Sequence, residues 1–237
     1  MKIAQVSSYL RVLLRRGPWF CISNFLQTAW FDLRHRTDTH MPQRQEEYSG
    51  RPADFEHGIW YVCSRTDEIH AALGIVRRRT GDTFRDFQFF DLGAGKGKSI
   101  LVYCLHLGEH EPRHRPGGIE YDPCLVGIAR ENLERMGFGD RADIFAADAR
   151  SLVSRCTSPR ILLFLYNPFD WSVLGEVVAQ IADRETMIIY IDPKHEDDLV
   201  RQGFVVVHRK SGREPNRIVS ILHRMPRLAS ACTNHRE

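Results

Sequence analysis

The stretch that most constrains this chain is Gln88-Phe89-Phe90-Asp91-Leu92-Gly93-Ala94-Gly95-Lys96-Gly97-Lys98-Ser99. A short apolar run enters an acid and is followed by glycines at alternate positions. Such a run before glycine reads as a buried parallel strand. Glycines at its end let the backbone turn sharply and approach a ligand with no Cβ in the way. The pattern Ser99 to Leu105 then reads as a helix, whose free N–H groups and positive dipole end face whatever sits on the turn. A strand, a glycine turn and a helix in this order hold a small molecule with an anionic or polar end.

Three glycine patterns compete for that turn. A dinucleotide fingerprint needs Gly-x-Gly-x-x-Gly; Gly93 and Gly95 fit, but the third position is Lys98. A phosphate loop needs Gly-x-x-x-x-Gly-Lys-Ser/Thr; Gly97, Lys98 and Ser99 fit its end, but its first glycine falls on Leu92. The pattern that fits throughout is Asp-x-Gly-x-Gly-x-Gly, with Asp91, Gly93, Gly95 and Gly97.

The rest of the chain reads as alternating β/α units. Pro116 to Pro123 is a short strand ending in Glu120, followed by a helix from Cys124 to Met136. A carboxylate at that strand end can accept hydrogen bonds from both hydroxyls of a ribose. Ala142 to Arg150 reads as a third strand with Asp148 just past its end. Asp148 is either an acceptor for an adenine amine or the N-cap of the following turn. Ile161 to Tyr166 is a continuous apolar run, as a central parallel strand should be, and ends in Asn167-Pro168-Phe169-Asp170. In an open α/β sheet that tetrapeptide faces the same crevice as the glycines. Trp171 to Ala182 is a helix, Thr186 to Ile191 a fifth strand, and Glu196 to Gln202 a short helix. Phe204 to His208 and Arg217 to His223 form an antiparallel hairpin by pattern.

Upstream, Ile3 to Arg16 is amphipathic with a basic rim, and a second apolar segment runs from Trp19 to Leu33. These read as helices packed on the core, or as a basic pair in weak peripheral contact with a membrane through residues 3–33. Residues 36–54 read as loop or linker. Tyr61 to Thr66 leads into a helix from Asp67 to Arg79 and is a candidate ligand-side loop. His106, His110 and His114 have helical spacing, but Gly108 and Pro112 break the helix that would align them, so they read as solvated loop histidines. Expected boundaries are an N-terminal helical extension and linker over 1–54, one domain over 55–225 and a disordered tail over 226–237.

Bulk properties exclude several classes. The 237 residues suffice for one α/β domain and an extension. A net charge of +3 does not indicate nucleic acid. Six scattered cysteines with no Cys-x-x-Cys pair argue against structural zinc and for a reducing, cytoplasmic setting. No apolar run reaches the roughly 18 residues of a membrane span.

From about residue 55 to 225 the chain resembles a class I S-adenosylmethionine-dependent methyltransferase, and a bacterial methyltransferase-like group with Asp-x-Gly-x-Gly-Lys-Gly and Tyr-Asn-Pro-Phe. Members of that group carry an aromatic-Asp and Asp-Thr lead-in, here Phe31-Asp32 and Asp38-Thr39. The resemblance implies a Rossmann-like, doubly wound α/β sheet of seven strands, ordered 3-2-1-4-5-7-6 with strand 7 antiparallel. It implies S-adenosylmethionine held by Asp91, Gly93, Ala94, Gly95, Gly97, Glu120, Tyr121, Asp148, Ala149 and Asn167. Asn167-Pro168-Phe169 resembles the Asn/Asp-Pro-Pro-Tyr/Phe motif of amino-group methyltransferases with one proline missing. Carried over, Asn167, Pro168 and Phe169 form the catalytic edge: Asn167 orients an acceptor nitrogen and Phe169 packs on it. The acceptor, a protein or a small molecule, is not specified. Asp170, Asp192 and His195 are placed to act as a base where one is needed. The alternatives are a module that binds the nucleoside without catalysis and a phosphate-loop NTPase; the latter needs a strand ending in Asp for magnesium, where this chain has Asn167.

Overall fold

The computed structural model describes residues 18, 22, 28–40, 63–108, 110–211 and 218–226. The amphipathic segment 3–16, most of 19–33, the linker beyond residue 40 and the tail beyond residue 226 lie outside these. Helix α1 is Ala29–His35, and α2 is Thr66–Thr80, followed by a 3-10 turn over Gly81–Asp86. Then come β1 (Gln88–Leu92), α3 (Lys98–Leu107), β2 (Gly117–Glu120), α4 (Pro123–Arg135) and β3 (Asp143–Ala146). A second 3-10 turn, Ala149–Ser151, runs into α5 (Leu152–Arg155). The chain closes with β4 (Arg160–Leu165), α6 (Trp171–Gln180), β5 (Glu185–Ile191), α7 (Glu196–Arg201), β6 (Val205–Lys210) and β7 (Val219–Arg224).

The strands form one sheet in the order β3-β2-β1-β4-β5-β7-β6. β1 through β5 run parallel to one another, and β7 is antiparallel to both β5 and β6. This is the seven-stranded arrangement expected from the sequence. Successive strand residues point to opposite faces, so Phe89 and Phe90 enter two separate cores. One core packs Phe89, Phe164 and Ile189 against Leu73 of α2, Leu101 of α3 and Leu133 of α4. The other packs Phe90, Leu163 and Tyr190 against Leu152 of α5, Val177 of α6 and Leu199 of α7. Strands covered on both sides need no polar face, which is why β1, β4 and β5 are nearly continuous apolar runs.

Local chemistry places the helix starts. Asp122 caps α4 by accepting from the backbone N–H groups of Cys124 and Leu125, with Pro123 at the first helical position. Asp170 caps α6 through Ser172. Gly108 ends α3 at φ 61°.

Candidate active site

β1 delivers its turn at the carboxyl edge of the sheet, beside the ends of β2 and β4. Three glycines there have left-handed backbones: Gly93 at φ 79°, Gly95 at φ 52° and Gly97 at φ 82°. A Cβ on Gly93 would stand 2.4 Å from the Cβ of Pro168. The glycine turn and the Asn-Pro-Phe turn therefore touch at Gly93 and Pro168. A Cβ on Gly118 of β2 would meet Ala94 at 2.7 Å and Ile100 at 2.5 Å, so β2 must be bare for the turn to lie against it.

Glu120 ends β2 facing that turn. Its Oε2 accepts from the Gly95 N–H at 2.8 Å and its Oε1 from the Asp122 N–H at 2.9 Å. Burial pushes its carboxyl above the usual carboxylate range, against the pull of those backbone donors. Asp91 is buried at the end of β1 and accepts from the Ser99 hydroxyl. Burial raises its pKa to about 7; Ser99 opposes that and nearby Glu120 adds to it. Tyr121 is half exposed beside Glu120.

Asn167 follows β4 at φ 43°, and Asp192 follows β5 at φ 46°; each precedes a proline. The two strand ends are tied together, because the Asn167 amide nitrogen donates to the Asp192 carbonyl. That bond fixes which way the amide points. Its oxygen is buried and has no hydrogen-bond partner among the described residues, while Asn167 as a whole is only 7% exposed. A buried carbonyl oxygen left unsatisfied is costly unless a ligand donor completes it. Phe169 and Trp171, which follow Asn167, pack half-buried against the core of Leu163 and Tyr190, and the Trp171 and His195 rings lie 6.0 Å apart.

Other sequence candidates have protein partners. Asp148 caps the 3-10 turn, accepting from the Arg150 N–H at 2.7 Å and from its guanidinium at 3.0 Å. Asp170 caps α6. His195 is bonded to Asp198 at 3.1 Å. The reading of His106 as a solvated loop residue needs correction: it lies in the last turn of α3, its Nε2 is buried, and its ring sits 6.1 Å from that of His70. Among the described residues no cluster of three or more His, Cys, Asp or Glu could hold a metal ion. No described helix is long and apolar enough to cross a membrane.

Lys96 of the turn and Lys98, the first residue of α3, contact earlier parts of the chain. Lys96 is buried and bonds both oxygens of Asp38 at 3.0 Å. Lys98 is buried over the Phe31 ring at 5.2 Å, with Cys63 Sγ at 3.3 Å. Residues 36–40, expected as linker, wrap the buried carboxylate of Asp32, which accepts from Thr37, Thr39 and His40. Asn132 of α4 completes the junction. Its amide bonds the backbone of Asp38 in both directions and also donates to the Lys96 carbonyl at 3.0 Å.

No family model matches the chain. A protein-L-isoaspartate O-methyltransferase from Hyperthermus butylicus is 29% identical over 135 residues, 55% of this chain and 53% of that protein. The chain thus spans about half the length of that curated relative. The crystal structure of cofactor-bound Rv0187 from MTB aligns over 84% of this chain and 90% of its own, at 15% identity and a TM-score of 0.52. A precorrin-6y C5,15-methyltransferase from Geobacter metallireducens aligns over 76% and 95%, at 15% identity and a TM-score of 0.50. With the strand order and the antiparallel β7, these likenesses identify the fold: a seven-stranded, Rossmann-like sheet shared with those two structures.

Proposed function

We propose that the protein is an S-adenosylmethionine-dependent methyltransferase. The observation that carries this reading is Glu120, held at the end of β2 against the Gly95 N–H by a 2.8 Å bond. A carboxylate in that place suits a pair of ribose hydroxyls, and the bare turn beside it suits a close-lying nucleoside and its amino-acid tail. Gly93, Ala94, Gly95 and Gly97 supply that turn, Asp91 supports it through Ser99, and Tyr121, Asp148 and Ala149 border the base end. The names of the curated relative and of the Geobacter structure both state methyl transfer. A phosphate-loop reading fits poorly, because Lys98 is buried against Phe31 and Cys63.

Bound there, the cofactor supplies a methyl group on a sulfonium, an already activated donor. The protein's part is to align an acceptor. Asn167 offers its buried amide oxygen to an N–H, Pro168 holds the turn against Gly93, and Phe169 lends an apolar surface. An acceptor nitrogen satisfies the orphan oxygen and is oriented by it. The test is transfer of tritiated methyl from S-adenosylmethionine into a cell extract. Asn167→Ala should cut incorporation by about 10- to 100-fold, the worth of one buried hydrogen bond, while binding S-adenosylhomocysteine within about threefold of wild type. Incorporation equal to wild type would contradict the role given to Asn167.

A further inference from the structure

Residues 28–40 form a strap over the cofactor turn. Their fold is local: α1 ends at Arg36 with a left-handed backbone, and three of the next four residues, Thr37, Thr39 and His40, bond the Asp32 carboxylate. Thr39 is fully buried. The attachment to the rest of the molecule is made at the glycine turn itself. Asp38 reaches Lys96, the residue between Gly95 and Gly97, and Phe31 lies under Lys98. Asn132, fully buried, receives the Asp38 N–H at 2.9 Å and donates to the carbonyls of Asp38 and Lys96, both at 3.0 Å. Lys96 is nearly inaccessible, while the Asp38 side chain is 44% exposed. The strap carboxylate thus balances a cation buried within the ligand-binding turn, and a buried cation depends strongly on such a partner.

We infer that Asp38 and Asn132 are positioning residues for the cofactor site, and that seating of residues 28–40 and binding of the cofactor are coupled. The Gly95-Lys96 segment is held at both ends, by Glu120 through the Gly95 N–H and by Asn132 through the Lys96 carbonyl. A strap that releases Asp38 takes away the carboxylate at Lys96 and the two backbone bonds to Asn132, and so loosens the turn next to the Gly95 amide. Coupling of this kind is reciprocal, so the cofactor must tighten the strap by the factor with which the strap tightens the cofactor. The inference rests on the cofactor reading above.

The experiment is done on the full chain. Amide hydrogen exchange over 28–40 and 93–97 is followed with and without saturating S-adenosylhomocysteine, and calorimetry on the same samples confirms occupancy. Exchange should slow in both segments of the wild type. Asp38→Asn should weaken S-adenosylhomocysteine by about tenfold, within the usual range of allosteric coupling, and Asp38→Glu should recover part of the loss. A purely structural bond would lower the melting temperature of the ligand-free protein but leave both the affinity and the ligand-induced protection of 28–40 in place. Wild-type binding without slower exchange in 28–40, or unchanged affinity in Asp38→Asn, overturns the strap inference alone. Failure of the wild type to bind S-adenosylhomocysteine overturns the cofactor reading and the inference with it.

Discussion

Gly93 shows how much of the site rests on a single missing atom. Its φ of 79° and the 2.4 Å approach to Pro168 leave no room for a methyl group. Gly93→Ala should destabilise the protein by at least about 2 kcal/mol, from left-handed strain and overpacking together. Urea unfolding checks this. Gly95, at φ 52°, donates to Glu120 and faces the proposed ligand. Gly95→Val should weaken S-adenosylhomocysteine by more than about 100-fold while the far-ultraviolet circular dichroism stays native. Asp91 carries a pH signature. Burial raises its pKa from 3.8 to about 7, so the folded state holds a proton that the unfolded chain gives up. Stability from this group is full below about pH 4 and falls as pH rises through about 7. Asp91→Asn keeps an acceptor for Ser99 and escapes that loss. Its stability relative to wild type should rise between pH 4 and pH 8 in urea titrations, and a flat difference would contradict the burial account.

Among the elements, the strap carries the opposite sign. Burial alone would raise the Asp32 pKa, but bonds from His40, Thr39 and Thr37 hold it down at about 2, below the ordinary 3.8. Stability from Asp32 is therefore full above about pH 4 and lost as pH falls toward 2. The stability gap between wild type and Asp32→Asn should close over that window, as read from thermal midpoints. This segment also marks where sequence reading stopped. The strands and the Glu120 edge were legible because apolar runs and glycine turns have a short-range signature. Residues 36–40 are polar and irregular, so they read as linker, although Thr37, Thr39 and His40 each bond Asp32. One signal was present. Leu125, Val126, Ala129, Asn132 and Leu133 share the buried stripe of α4, and an asparagine on such a stripe needs a partner. Asp148 shows the reverse problem, since a carboxylate just past a strand serves equally well as a helix cap, and here it bonds Arg150.

At the scale of the whole molecule, the sheet has separate supports for stability and for function. At its amino edge Gln88 gathers the N–H groups of Thr157 and Ser158 and donates to the Arg115 carbonyl, tying the lead-ins of β2 and β4 to β1. Gln88→Leu should cost about 2–4 kcal/mol by stranding those backbone groups, yet leave S-adenosylhomocysteine affinity unchanged. Every residue proposed for the ligand stands at the carboxyl edge, where the glycine turn lies between Glu120 on one side and Pro168 on the other. The most direct test of that assignment is calorimetric titration of the full chain with S-adenosylmethionine, S-adenosylhomocysteine and ATP with magnesium. Micromolar binding of the first two and none of ATP is the expected result. Binding of ATP alone would contradict it and return Lys98 and Ser99 to the role of a phosphate loop.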